Sequence, residues 1–155
     1  MLESWLAAIE AAPAIEWLRL SSWAYAAVNT LHVVGIALLF GAIVPLDLRL
    51  AGWRQGDASL AALSRLLLPV SKSGFALAAL TGLLLFAADA RSYAASSLFQ
   101  AKLAVIAAAL LNAGLLRRVD WCAPSMSARR LAAAGAASLL LWLAAITFGR
   151  WIAYA

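Results

Sequence analysis

The chain has 155 residues, 66% of them hydrophobic, with 12% charged, a formal net charge of +5 and a mean hydropathy of +0.92. About a quarter of the residues in ordinary soluble domains are charged, so this composition excludes a typical soluble domain and points to the bilayer. The basic excess sits at the ends of apolar runs and lacks interleaved reading residues, which excludes a nucleic-acid interface.

The first twenty residues, MLESWLAAIEAAPAIEWLRL, carry Glu3 where a secretory signal would carry basic residues. They are expected to form an interfacial amphipathic helix broken at Pro13, with Trp5 and Trp17 at the headgroups. Between Arg19 and Asp47 no formally charged residue occurs. A hydrocarbon core of about 30 Å needs about 20 helical residues, so this run holds one tilted span. Pro45 and Gly52 are expected to close it. Asp57 is expected to cap a short surface helix through Leu68, ahead of Pro69.

The second apolar run, Ser73 to Ala88, is short, but Lys72 and Asp89 can snorkel from its ends. The third, Leu103 to Leu116, has only fourteen uncharged residues, about 21 Å of helix. A full span requires extension back to Ser97, which puts Lys102 inside the span or just under its rim. Ser97 with Gln100 offers a capping box there. Ser127 is expected to cap the last helix, whose uncharged run from Leu131 to Gly149 spans unaided. Strand-like alternation is missing. The expectation is an all-α fold: a transmembrane four-helix bundle in one domain, residues 1–155, with spans near 23–46, 72–89, 97–117 and 129–151.

Arginine and lysine counts orient the bundle. Arg49, Arg54, Arg65 and Lys72 share one face with Arg117, Arg118, Arg129 and Arg130, against Arg19, Arg91, Arg150 and Lys102 opposite. The positive-inside rule then puts the Arg-rich loops in the cytoplasm and both termini outside, in a bacterial inner membrane. Cys122 stands alone and offers neither a disulfide nor a metal cluster.

His32 is the only histidine, and it lies within the first span. Tyr25, Asn29, His32, Gly35 and Leu39 recur at helical steps and share one face. An imidazole in that setting is costly to leave unsatisfied and needs a named partner. Three uses are open: a ligand, most readily to the iron of a b-type haem, a hydrogen bond to a neighbouring helix, or a proton relay. In the ligand reading Asn29 orients one ring nitrogen and Gly35 leaves room for a flat macrocycle. Lys102, in the same outer half, offers a lone pair only as the neutral amine; otherwise it snorkels to the headgroups. Arg91 and Arg150 end on the outer face, where they can mark the interface or meet haem propionates.

Thr81 and Asn112 are expected to bond between helices, and Gly135, Ser138, Trp142 and Gly149 to form a close-contact stripe. Trp23, Tyr25, Tyr93, Trp151 and Tyr154 compose an outer aromatic belt. Asp47 and Arg49 look like a local pair. Copper or zinc transport would need several His, Cys or Met in the spans, and Met1, Met126 and Cys122 lie outside them. Nucleophilic triads and phosphate loops are likewise missing.

The stretches LHVVGIALLFGAIVPLDLRLAG, GLLLFAADARSYAASSLFQAKL and WLAAITFGRWIAY resemble a family of small bacterial four-helix integral membrane proteins that carries no established activity. The layout is more distantly similar to HemJ-type protoporphyrinogen oxidases and CopD-type membrane domains. That resemblance implies haem b, with His32 and Lys102 in the places of the helix-one histidine and helix-three lysine of the HemJ type. Those proteins carry further histidines and an arginine directly after the helix-one proline, where this chain has Leu46, so porphyrinogen oxidation does not carry over. The expected function is haem b-dependent electron transfer or oxidation, with a redox partner or a second copy of the chain. The alternatives are a small proton-coupled transporter and an accessory subunit without a cofactor.

Overall fold

A computed structural model describes residues 1–53, 59–116 and 126–154, so Arg54, Asp57, Arg117, Arg118 and Cys122 lie outside the described residues. The chain order is α1 (Leu2–Glu10), α2 (Pro13–Leu20), α3 (Ser22–Leu50), α4 (Leu60–Ala88), α5 (Ala90–Ala95), α6 (Ser97–Leu116) and α7 (Ala128–Trp151), then a 3₁₀ turn at Ile152–Tyr154. Four of these helices, α3, α4, α6 and the run from α7 through Tyr154, are long and apolar enough to cross a membrane. Only 6% of the most apolar window of α6 is buried within the protein. Its leucines therefore face outward, as Leu111 and Leu115 do at 72% and 70% exposure, which suits lipid and not water.

Local chemistry accounts for the helix ends. Pro13 occupies the first turn of α2, where its missing N–H costs nothing. Ser21 and Ser59 cap α3 and α4 by accepting from the amides of Ala24 and Ala62. The C-terminal end of α3 is set by Gly52, which takes a positive φ of 84°. The Gly52 amide donates to the Arg49 carbonyl and the Trp53 amide to the Leu48 carbonyl, the two bonds of a Schellman stop.

Pro45 does not close α3, because the helix continues to Leu50. Pro69 likewise lies inside α4, and there is no separate surface helix ahead of it: α4 starts at Leu60 and runs to Ala88. An interior proline removes one donor, but breaking the helix in apolar surroundings would leave several backbone groups unpaired. The cap of α6 is Ser96, one residue before the expected Ser97, and accepts from Phe99 N. The Gln100 amide donates to the Ala94 carbonyl, so no capping box forms. Ser127 precedes α7 as expected, without a side-chain cap bond.

Three helix pairs pack closely: α3 with α4, α6 with α7, and α3 with α7. The α3–α4 contact is the tightest because glycine meets glycine. A Cβ on Gly35 would lie 2.6 Å from the Ala78 nitrogen and 3.0 Å from the Gly74 carbonyl oxygen, and one on Gly74 would lie 2.8 Å from the Gly35 oxygen. Small residues at such a crossing let backbones approach where hydrophobic driving force between helices is weak. Gly135 does the same for α7 against α3, where its Cβ would lie 2.8 Å from Leu50 Cβ. Near the middle of the long helices Leu39, Ala109 and Trp142 join α3, α6 and α7 in one cluster, and the Phe75 ring meets Trp142 edge-on at 6.2 Å. Where α3 and α6 end and α7 begins, Leu50, Leu116 and Leu131 form a second cluster. Thus α7 runs antiparallel to both α3 and α6.

Candidate functional site

His32 is half-buried on the α4 side of α3. Its Nδ1 lies 2.9 Å from the Ala78 carbonyl oxygen and 3.1 Å from Thr81 Oγ1. A carbonyl can only accept, so Nδ1 carries the hydrogen. The Thr81 hydroxyl donates to the Leu77 carbonyl at 2.6 Å, which turns its lone pairs towards the ring. Both partners therefore fix one tautomer and leave the lone pair of the neutral ring on Nε2. The anchoring helix is α4, not the Asn29 side chain, which is exposed one turn away on α3.

Glycines make the space for both candidate side chains. A Cβ on Gly82 would lie 3.0 Å from His32 Cε1, so the ring packs directly over the α4 backbone. Lys102 lies across α7 at Gly149, where a Cβ would be 3.1 Å from Nζ and 3.3 Å from Cε. The two helices that carry His32 and Lys102 are not a closely packed pair, since α6 packs on α7 and α7 on α3. The missing side chain at Gly149 gives the amine its room on the face of α7.

Gly35 does not leave an open slot, because the Ala78 and Gly74 backbones occupy the space in front of it. The room lies one turn further out, at Gly82. Aromatic rings stand outward of it: Phe86, one turn beyond Gly82, stacks on Phe99 at 5.4 Å, and Tyr93 lies 5.4 Å from Phe99. Phe99 is one turn before Lys102. Burial pushes the Tyr93 phenol above its ordinary range, and the neighbouring Tyr25 phenol and Asp89 carboxylate add to the effect.

Arg91 and Arg150 are already engaged. Arg91 holds Glu10 through two contacts of 2.8 Å, from its backbone amide to Oε1 and from Nε to Oε2. That ties α1 to α5 across 81 positions of sequence. The Arg91 amide, ahead of the opposing burial and aided by its guanidinium, holds the Glu10 carboxyl below the usual range. Arg150 donates to the exposed Tyr154 hydroxyl, with its guanidinium 4.8 Å from the centre of that ring. Asp47 turns to Ser138 of α7. Asn112 donates to the Ala134 carbonyl at 3.0 Å, a bond between α6 and α7 as expected.

Sequence reasoning found His32, Lys102 and Thr81 but missed Ala78, Gly82 and the reach of Lys102 across Gly149. The Thr-Gly pair inside an otherwise apolar run was the available signal for the ring's bed. Nothing local marks the Glu10–Arg91 pair. No group of three His, Cys, Asp or Glu that could hold a bare metal ion occurs among the described residues. One imidazole suffices for a haem iron, because the porphyrin supplies four nitrogens of its own. No protein-family model, curated protein or solved structure matches the chain.

Proposed function

We propose that this is a multi-pass protein of the bacterial inner membrane that binds one haem b in the outer half of a transmembrane four-helix bundle, for electron transfer or oxidation. The observation that carries the reading is the Nδ1–H of His32 donating to the Ala78 carbonyl, 2.9 Å away. A carbonyl on the far nitrogen fixes the tautomer and ring plane and raises the basicity of Nε2, as is usual for a metal-ligating histidine. The donor set fits an iron with one firm ligand, Nε2, and one conditional ligand, the Lys102 amine, which coordinates only when unprotonated. Gly82 supports the fit by letting the ring lie directly against the α4 backbone, where any side chain would displace it.

Each residue has a separate task in this reading. Ala78 and Thr81 orient the imidazole, and Lys102 binds the iron or holds a proton beside it. Phe86, Phe99 and Tyr93 keep water from the outer side. Arg150 suits a propionate because its present partner, Tyr154, is exposed and exchangeable. Arg91 would have to abandon Glu10, which is only 7% exposed, and so serves the scaffold instead. Bound haem supplies a one-electron couple whose potential the axial donors tune.

The eight-to-four excess of arginine and lysine on one side supports cytoplasmic Arg-rich loops and outer termini. Trp5 and Trp17, 71% and 65% exposed, suit α1 and α2 lying in the outer headgroup layer. The test is a visible spectrum of protein expressed with ample haem. A Soret band that disappears in His32→Ala, and changes with the Lys102→Met substitution, is the expected result. No band, or one indifferent to His32, ends the reading.

A second reading rests on the same pair. A ring with one anchored and one available nitrogen, beside an amine, can pass a proton, as a small proton-coupled transporter requires. It predicts pH-dependent flux in proteoliposomes from protein that carries no chromophore.

A further inference from the structure

Fifteen residues along α3 from His32, about 22 Å by helical rise, the inner half holds a second ionisable side chain that the haem reading does not use. Asp47 is 4% exposed. It sits where α7 comes close enough that a Cβ on Gly135 would lie 2.7 Å from the Asp47 carbonyl oxygen. Ser138 hydrogen-bonds the carboxyl. The second carboxyl oxygen, Oδ2, is buried without a partner among the described residues, and so is Trp142 Nε1, whose residue is one turn beyond Ser138 on the same face of α7. Helical side chains lean towards their own N-terminus. Because α3 and α7 are antiparallel, Asp47 leans outward and Trp142 inward, bringing a lone acceptor and a lone donor towards each other.

Among the described residues, those of the neighbouring helices bring the carboxylate no counter-charge. From α4, Arg65 and Lys72 are exposed, while the Ser64 and Ser71 hydroxyls donate to the Ala61 and Leu68 carbonyls of their own helix. From α6 the polar group is Asn112, which is spent on Ala134. From α7 come Ser138 and Trp142, while Arg129 and Arg130 in its first turn are exposed. On α3 itself Arg49 lies about 200° around the helix from Asp47. Below, Leu50, Leu116 and Leu131 close the inner end.

We propose that Asp47 is a proton-binding site, distinct from the His32–Lys102 centre and independent of any ligand there. One proton from water at the inner face bonds to Oδ2 and converts the carboxylate to a neutral acid; nothing is oxidised or reduced. The neutral acid avoids an uncompensated charge in apolar surroundings, and Ser138 keeps the other oxygen paired. When the proton leaves, the Trp142 N–H is the donor available to the resulting oxyanion. A buried acid at this place gives α3 one exchangeable proton in each half of the membrane.

The experiment is infrared spectroscopy of the protein in lipid vesicles as a function of pH, with ¹³C-labelled aspartate to separate Asp47 from the glutamates. The expected spectrum has a carbonyl band of a protonated acid in apolar surroundings, which shifts in D₂O, fades as pH rises and is absent from Asp47→Asn. In Trp142→Phe the band persists to higher pH, corresponding to about a tenfold gain in proton affinity or more. A wild-type protein with no such band at any pH, or a band that survives Asp47→Asn, overturns the proposal. Should Asp47→Asn fail to fold, Trp142→Phe decides: an unmoved titration overturns the site.

Discussion

Replacing Gly35 by alanine tests the contact on which the histidine site is built. The added methyl would lie 2.6 Å from the Ala78 nitrogen and 3.0 Å from both Ala78 Cα and the Gly74 oxygen. Non-bonded heavy atoms sit at about 3.5 Å or more, so the α3 and α4 backbones must part by roughly 1 Å. All three obstructing atoms belong to a helix backbone and cannot swing aside. Overpacking of this kind costs about 1–3 kcal/mol. The same movement stretches the 2.9 Å bond from His32 Nδ1 to the Ala78 carbonyl beyond hydrogen-bonding range, a further loss of about 0.6–1.5 kcal/mol. Against this stands the helix-propensity gain of glycine to alanine, about 1 kcal/mol. The net expectation is a loss of about 1–3 kcal/mol. Gly114→Ala is the matched control, because a Cβ there meets nothing within 4 Å. Both variants would be unfolded in detergent micelles with added denaturant and followed by circular dichroism. If Gly35→Ala is as stable as the Gly114→Ala control, the close α3–α4 crossing is wrong, and the placement of His32 against Ala78 fails with it.

Further substitutions separate site from scaffold. Gly82→Leu places a branched chain where even a Cβ is 3.0 Å from the imidazole; it should abolish haem binding, read as loss of the Soret band, while helix content stays unchanged. Asn112→Leu removes one bond between α6 and α7 and should cost about 0.6 kcal/mol and no more than about 1.7, measured in the same unfolding assay. Because the Glu10 carboxyl is held below its ordinary value, its pairing with Arg91 contributes fully above that value. The contribution fades as pH falls from about 4.3 through the lowered folded value. Amide hydrogen exchange in α1, corrected for intrinsic rates, should therefore accelerate relative to α3 in acid. In Glu10→Gln it should be fast already at neutral pH; an α1 indifferent to both changes would remove the clamp from the account.

Reading the chain in order was enough for whatever depends on runs of like residues. Charge-free stretches of membrane length mark α3 and α7, and shorter apolar runs that reach that length only with Lys72 and Lys102 included mark α4 and α6, since the hydrocarbon thickness sets a minimum that a span must meet. His32 and Lys102 stood out because ionisable groups inside such stretches are rare. Helix caps depend on a few neighbouring residues, yet Ser21 and Ser59 were not singled out, and Ser96 differs from the expected cap by one position. The prolines misled for a different reason: Pro45 and Pro69 break helices in water, but here the neighbouring backbone groups have no solvent to turn to.

Only the tertiary structure decided which residues meet. Whether Gly35 faces a cofactor or another helix depends on the crossing point of α3 and α4, and that is set by Gly74 and Ala78, some forty residues away in sequence. The apolar surface of these helices has nearly the same composition all round, so it cannot fix their order or rotation; small residues and isolated polar bonds do. That is why Lys102 lies over Gly149, why Glu10 lies under Arg91, and why the imidazole takes its hydrogen-bond partners from α4. Lipid length is written along the chain, whereas helix order is settled by a few close contacts between residues far apart in it.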